Sequence, residues 1–185
     1  NLGMGCGSRA GKLEMHSTLK PSVGEGCTLC GRCVEVCPAD AILLGEDRAA
    51  IDPEKCEGCA SCIAACEFDA VEIPWMALAS SAVMERTAEY ALGALNGKPC
   101  VCVTFINNIA KDCDCMADSE LIGRDVGVVA SVDPVACEQA AFDLVRAGHG
   151  GVDIFKKATR IDGTHILAYA ESIGLGRRDY ALVRL

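Results

Sequence analysis

The pattern of apolar and polar residues predicts alternating helices and strands in the part of the chain that follows residue 74. The segment PWMALASSAVMERTAEYALGALNG has apolar residues near helical spacing and stops at Asn96-Gly97, so we expect an amphipathic helix of about five turns. The positions that define its apolar face are Met76, Ala79, Val83, Tyr90 and Ala94.

Two apolar segments, PCVCVTFI and VGVVAS, have no polar face and predict strands buried on both sides. Asp133-Pro134 predicts the start of a helix, with a capping side chain and a proline in the first turn. THILAYAESIGLG predicts a further helix ending in glycine, and YALVRL a last strand. This alternation favours an α/β layer.

The chain before residue 74 is characterised instead by a repeated cysteine motif. CTLCGRCVEVCPADAI, residues 27–42, returns 29 positions later as CEGCASCIAACEFDAV, residues 56–71. Both copies have the spacing C-x2-C-x2-C-x3-C, for which a disulfide framework has no need. Three thiolates at this spacing can face one [4Fe–4S] cube while the fourth reaches the neighbouring cube.

The spacing therefore predicts two [4Fe–4S] clusters with exchanged fourth ligands. The first cluster takes Cys27, Cys30, Cys33 and the distant Cys66. The second takes Cys56, Cys59, Cys62 and Cys37. Zinc is the competing metal, but a zinc ribbon needs four cysteines and no third cysteine after each pair.

On these residues, positions 24–74 resemble a bacterial-type two-cluster ferredoxin, a small α+β module. About 50 residues cannot bury enough apolar surface for an independent core, so the cluster bonds would replace it. Nearby carboxylates disfavour an added electron and predict low potentials, which the basic Arg32 and Lys55 oppose. The carboxylates are Asp40, Glu57, Glu67 and Asp69.

Net charge and hydropathy restrict the classes of partner that the chain is expected to bind. The formal charge of −9 argues against nucleic acid or an anionic membrane surface as the main partner. No apolar segment approaches the ~20 residues of a membrane span, and no signal peptide is visible at the start. We expect a soluble cytoplasmic protein, and the oxygen sensitivity of such clusters suggests an anaerobe.

Six cysteines lie outside the repeat. Cys100, Cys102 and Cys137 are expected to be small core residues. Cys113 and Cys115 flank Asp114 in a polar loop, where they are either a metal or redox pair or exposed thiols. If the two apolar strands are parallel neighbours, this loop and the turn carrying Ser131 and Asp133 share one edge and form a cleft.

The order of NLGMGCGSRAGK, the double cluster motif, CDC, DVGVVASVDPVACEQAAFDLV and IGLGRRDYALV resembles the DUF362 family of iron–sulfur proteins. The resemblance covers nearly the whole chain. It implies an α/β domain into which the ferredoxin-like module is inserted, with an N-terminal segment 1–23, the module at 24–74 and the carboxyl-terminal part at 75–185. It also implies that a further α/β portion precedes this chain.

Two functional hypotheses remain at this point. In the first, two clusters relay single electrons. The electrons pass to or from a site in the α/β domain, a redox partner protein or the missing upstream domain. In the second, the protein is a redox enzyme with a cleft around Cys113, Asp114, Cys115 and Asp133, with or without an additional metal.

Overall fold

The computed structural model describes residues 7–17, 20–73, 79–112 and 118–184. The chain divides into two compact units, Gly7–Arg86 and a second unit beginning at Thr87 and ending at Leu185. Both units mix helices with two-stranded sheets. No helix in the described ranges is long and apolar enough to cross a membrane.

The first unit begins with a helix and continues with short elements. These are α1 (Arg9–His16), β1 (Ser22–Val23), α2 (Arg32–Glu35), β2 (Ile42–Leu44), β3 (Ala49–Ile51), α3 (Ser61–Ala65) and β4 (Val71–Glu72). Strand β1 pairs with β4 and β2 with β3, both antiparallel. The α2 and α3 helices occupy equivalent positions in the two copies of the cysteine repeat.

Cysteines make up much of the core of this unit. Ile42, Ala49, Cys62 and Val71 are buried together, and further cysteines of both motifs pack around them. Strands of two or three residues bury little apolar surface, so this part of the chain lacks the large aliphatic core of an ordinary domain. The core therefore forms around the sulfur atoms, as the repeat predicts.

The second unit contains the longer elements. These are the end of α4 (Ser80–Leu95), β5 (Cys102–Ile106), β6 (Gly127–Ser131), α5 (Pro134–Gly148), α6 (Ile154–Thr159) and α7 (His165–Ser172). The division between the two units falls within α4. The predicted helices after Asp133 and around residues 165–172 are confirmed. Helix α7 ends as predicted at glycine, with Gly174 at φ +81°.

The expected parallel pairing of the two apolar strands is wrong. Strands β5 and β6 are antiparallel, with Cys102 opposite Ser131 and Ile106 opposite Gly127. The described parts of the connection, residues 107–112 and 118–126, contain no helix of the kind that a parallel crossover requires, and Ala110 and Leu121 meet there in a bridge.

The prediction that both faces of these strands are buried is also wrong. Ile106 and Val129 pack towards α5, but Val103, Phe105 and Val128 on the other face are more than half exposed. The sequence pattern shows that both faces are apolar. It does not show whether a second layer covers the outer face within this chain.

Helix α4 buries a different face from the one predicted. Thr87, Ala88 and Ala91 are its buried residues, and the two alanines pack against Val135, Leu167 and Ala170. Ala79 is exposed, Val83, Tyr90 and Ala94 are only half-buried, and Met76 lies outside the described residues. The buried positions are thus Thr87, Ala88 and Ala91, none of which was among the predicted ones.

The predicted last strand is wrong for the residues that are described. Residues 180–184 are exposed and have no strand pairing. The hydroxyl of Tyr180 donates to the Asp143 carboxylate at 3.0 Å, which anchors this segment to α5 by a side chain instead of a backbone ladder.

The complete burial of Ala88 in an apolar cluster predicts that Ala88→Leu destabilises the second unit by about 1–3 kcal/mol, because the core around it has no room for the added atoms. Urea unfolding followed by circular dichroism measures this. Gly93→Leu is the control: it introduces the same side chain on the same helix, at an exposed position with no atom within 4 Å of the added Cβ. An equal loss in the two variants would contradict the packing explanation.

Candidate metal centre

The two cysteine loops repeat in backbone conformation as well as in sequence. Leu29 and Gly58 occupy equivalent positions at φ +56° and +68°, and Gly31 and Ala60 at φ +79° and +59°. A left-handed residue before the second cysteine and another directly after it bend each loop around a centre. Non-glycine residues at such angles are uncommon, so their appearance at matched positions indicates that the loop shape is required.

The segment after each fourth cysteine also repeats. The backbone N–H of Ala41 donates to Cys37 Sγ at 3.3 Å, and the N–H of Ala70 donates to Cys66 Sγ at 3.3 Å. Both alanines are buried. Hydrogen bonds from backbone N–H groups to sulfur are typical of cysteines that hold iron–sulfur clusters.

Two separate cavities lie among the eight cysteines. The cysteines that line the first are Cys27, Cys30, Cys33 and Cys66. The cysteines that line the second are Cys37, Cys56, Cys59 and Cys62. Each cavity therefore combines three cysteines from one motif with the fourth cysteine of the other.

Apolar side chains line most of the remaining wall of both cavities. Val23, Leu44 and Val71 contribute to the first, and Ile42 and Ile51 to the second. Four sulfur atoms in an apolar wall suit a group that binds thiolates and must be kept from water. The donor set and the lining both fit an iron–sulfur cube.

The thiols differ in how readily they lose a proton. Burial raises the pKa of Cys62 to about 11, and burial also raises the pKa of Cys33. The backbone N–H of Ala49, 3.4 Å from Cys27 Sγ, lowers the pKa of Cys27. A hydrogen bond with Ser61 lowers the pKa of Cys59. Each cavity thus contains one cysteine whose pKa is lowered and one whose pKa is raised.

The charges near the cavities are partly paired. The guanidinium of Arg32 donates to the carboxylate of Glu67, a contact between the two motifs. Glu67 stands where the first motif has Pro38, so the irregular position of the second repeat has a partner in the first. Both side chains are largely exposed, and the pair contributes no more than about 1 kcal/mol to stability.

The eleven cysteines in the described ranges are all free thiols. No three His, Cys, Asp or Glu side chains in the same ranges are grouped to hold a single metal ion.

Asp133 has a structural task that the sequence only partly predicts. Its Oδ1 accepts from the N–H groups of Val135 at 2.8 Å and Ala136 at 3.0 Å, which confirms the predicted helix cap. Its Oδ2 accepts from the N–H of Arg177 at 2.9 Å. Both carboxylate oxygens therefore accept hydrogen bonds from backbone N–H groups. The Asp133 side chain joins the start of α5 to the chain beyond α7.

The parallel strand pairing on which the predicted cleft depended is not observed. Because the ribbon is antiparallel, the 107–126 connection leaves and returns at the end formed by Ile106 and Gly127. Asp133 follows Ser131 at the opposite end, about 14 Å away along the strand. Cys113, Asp114 and Cys115 themselves lie outside the described residues.

Of the three cysteines expected in the core, one is buried and two are half-buried. Cys137 is buried, as predicted, with its Sγ 3.5 Å from Thr104 Oγ1. Cys100 and Cys102 are half-buried. Burial is the main cause that raises the pKa of Cys102 to about 11, so its thiol stays protonated near neutral pH.

Sequence reasoning missed the groups that donate to the sulfur atoms. The N–H groups of Ala41, Ala49 and Ala70 have no signature in the sequence, because any residue except proline supplies a backbone donor. For Ser61 the sequence did offer an indication. It is a hydroxyl residue two positions after Cys59, where the first motif has Arg32. The repeat alignment identified the position but not its hydrogen bond.

Comparison with known families supports the module. Residues 26–70 match the family model of a 4Fe-4S dicluster domain. The search of curated proteins found no match for the chain. The chain contains an iron–sulfur, ferredoxin-like module of a class that transfers electrons, and the predicted [4Fe–4S] chemistry is confirmed at this level.

The contacts of Asp133 predict that Asp133→Ala lowers the free energy of unfolding by about 1–2 kcal/mol, since it removes a helix cap and the tie to Arg177. Urea unfolding measures the loss, and visible absorption should show unchanged iron–sulfur bands. Asp179→Ala, at an exposed carboxylate of the same terminal segment, is the control and should change stability by less than about 0.5 kcal/mol. Loss of the visible bands in Asp133→Ala would contradict a purely structural role.

Proposed function

We propose that the protein binds two [4Fe–4S] clusters and transfers single electrons at low potential. The observation that carries this proposal is the presence of two separate cavities, each lined by four cysteines drawn from both motifs. A single-cluster protein has no need of the second set, and a purely structural metal has no need of two adjacent sites.

Each cavity supplies the ligands of one cluster. The first cluster would be held by Cys27, Cys30, Cys33 and Cys66. The second would be held by Cys56, Cys59, Cys62 and Cys37. The exchange of Cys37 and Cys66 makes each half of the module depend on the other half for a complete site.

When bound, such clusters accept and release one electron at a time. The chain's own groups set the conditions for this. The N–H groups of Ala41, Ala49 and Ala70 donate to sulfur and stabilise added negative charge, which raises the potential. The acidic surface near Asp40, Glu57 and Asp69 has the opposite effect, and we infer that the balance lies at low potential.

The wider architecture in this proposal follows the DUF362 resemblance. The module at 24–74 is inserted between an N-terminal segment, 1–23, and the carboxyl-terminal part of an α/β domain, 75–185. Electrons pass to or from that α/β domain, a missing upstream domain or a separate redox protein. Oxygen-sensitive clusters suit the cytoplasm of an anaerobe.

The enzyme hypothesis has less support. It required Asp133 and the Cys113–Cys115 loop to face one cleft, but Asp133 is engaged with backbone donors at the other end of the ribbon. Electron transfer by the cysteine module depends on none of these residues.

The test uses paired cysteine variants of the anaerobically purified protein. Wild type should contain about eight iron and eight sulfide per chain and show a coupled EPR spectrum after dithionite reduction. Cys30→Ser/Cys66→Ser removes two ligands of the same cavity and should keep one cluster, with about four irons. Cys30→Ser/Cys37→Ser removes one ligand from each cavity and should lose both.

The two double variants distinguish exchanged ligands from local ones. If each motif held its own cube, Cys30→Ser/Cys37→Ser would keep one cluster and Cys30→Ser/Cys66→Ser would keep none. Cys100→Ser is the control outside the repeat and should retain all the iron. Wild-type protein with clusters that dithionite cannot reduce would contradict electron transfer at accessible potential.

The hydrogen bond between Cys59 and Ser61 predicts an effect on one cluster only. Ser61→Ala should lower one of two reduction potentials by about 40 mV, which corresponds to a neutral hydrogen bond of about 1 kcal/mol. A spectroelectrochemical titration measures both steps. Ser22→Ala, an exposed hydroxyl on β1, should leave both potentials unchanged. Equal shifts of the two steps in Ser61→Ala would argue against a local hydrogen bond as the cause.

A further inference from the structure

The two cavities differ in their exposure to solvent. Cys30 in the first cavity is the only one of the eight cysteines in the exposed class. Cys62 in the second cavity is 7% exposed and belongs to the module's core. A group held by Cys30 would therefore lie nearer the surface than one held by Cys62. Electron exchange with another protein is easiest where the redox group is nearest the surface.

Two large apolar side chains border the exposed cavity. Leu44 at the end of β2 and Phe68 after α3 both line the first cavity, and both are 51% exposed. They are far apart in sequence, so only the fold places them beside the same cavity. We call Cys30, Leu44 and Phe68 the rim. Leu44 and Phe68 thus give the first cavity an exposed apolar border.

The module that carries the rim is strongly acidic. Residues 24–73 contain eleven acidic and three basic residues, which gives this segment −8 of the chain's formal charge of −9. Glu46 and Asp47 follow Leu44 in the β2–β3 turn, and Glu67 and Asp69 flank Phe68. All four carboxylates are exposed. Arg48 in the same turn offsets one of these charges, and Arg32, which lines the cavity, pairs with Glu67. The net charge in sequence next to Leu44 and next to Phe68 is still negative.

We propose that the rim is the docking surface for a basic redox protein, one that presents lysine and arginine side chains around an apolar edge of its own redox group. This rests on the proposed function and adds to it the cavity used for exchange and the chemistry of the partner. Negative charge on the module attracts such a partner over distances near the Debye length, and the apolar rim then excludes water from the contact.

The charge pattern favours this partner over two others. A second copy of the same acidic module would be repelled by like charges. An anionic membrane surface would be repelled for the same reason. A basic protein is the partner for which both the charges and the apolar side chains are attractive.

The first experiment measures binding without electron transfer. The oxidised protein is titrated by calorimetry with ferric cytochrome c, a basic haem protein, at low ionic strength. Leu44→Ser/Phe68→Ser should raise Kd about tenfold or more. Leu43→Ser is the matched control: Leu43 is 69% exposed on the same strand, does not line either cavity and should change Kd by less than twofold. Leu44→Ser alone serves if the double variant assembles poorly.

The second experiment tests the charges. Glu46→Gln/Asp47→Asn should weaken binding and reduce its dependence on salt. Glu120→Gln/Asp179→Asn removes the same two charges from exposed positions in the second unit and controls for net charge. Stopped-flow oxidation of the reduced protein by cytochrome c should slow in the same order as binding weakens.

The outcomes separate the two proposals. Clusters that assemble and are reduced normally, with equal Kd for the rim variants and the Leu43→Ser control, would overturn the docking surface and leave electron transfer intact. An equal effect of the two charge pairs would overturn the local role of Glu46 and Asp47 and hence the docking site. Absence of iron and sulfide in the wild-type protein would overturn both proposals.

Discussion

The convergence of cysteine sulfurs from two distant motifs is the constraint on which the first unit depends. Its strands are two or three residues long, and its apolar core is small and interrupted by cysteines. Such a segment cannot be stable through apolar burial alone. Cys37 and Cys66 each line the cavity of the other motif, so closing either site requires both halves to be folded together. Under the proposed function, binding of the clusters and folding of this unit would be coupled.

The same sulfur atoms are supported by a repeated set of backbone features. Left-handed residues at matched positions bend the loops, and buried alanines place N–H groups against the fourth cysteines. The repeat is not a perfect symmetry: Ser61 contacts Cys59, whereas its counterpart Arg32 pairs with Glu67. Small departures of this kind give two chemically similar sites different surroundings, and in this protein they accompany a difference in exposure.

The second unit is held together by ordinary packing and by one carboxylate. Alanines on α4 pack against residues of α5 and α7, and Asp133 fixes the start of α5 to the segment that follows α7. A residue that looked suited to chemistry in an α/β cleft is thus explained by three backbone hydrogen bonds. The exposed apolar face of the β5–β6 ribbon shows that a hydrophobic strand does not determine which layer covers it.

The sequence by itself determined the chemistry of the first unit, because metal ligation requires particular side chains at fixed spacing and leaves a direct record in the cysteines. It also predicted α5 and its cap, since Asp133-Pro134 acts through neighbouring backbone groups. Only the tertiary structure decided the direction of β6, the buried face of α4 and the joint exposure of Cys30, Leu44 and Phe68. Those features depend on contacts between residues far apart in the chain, which periodicity and spacing do not encode.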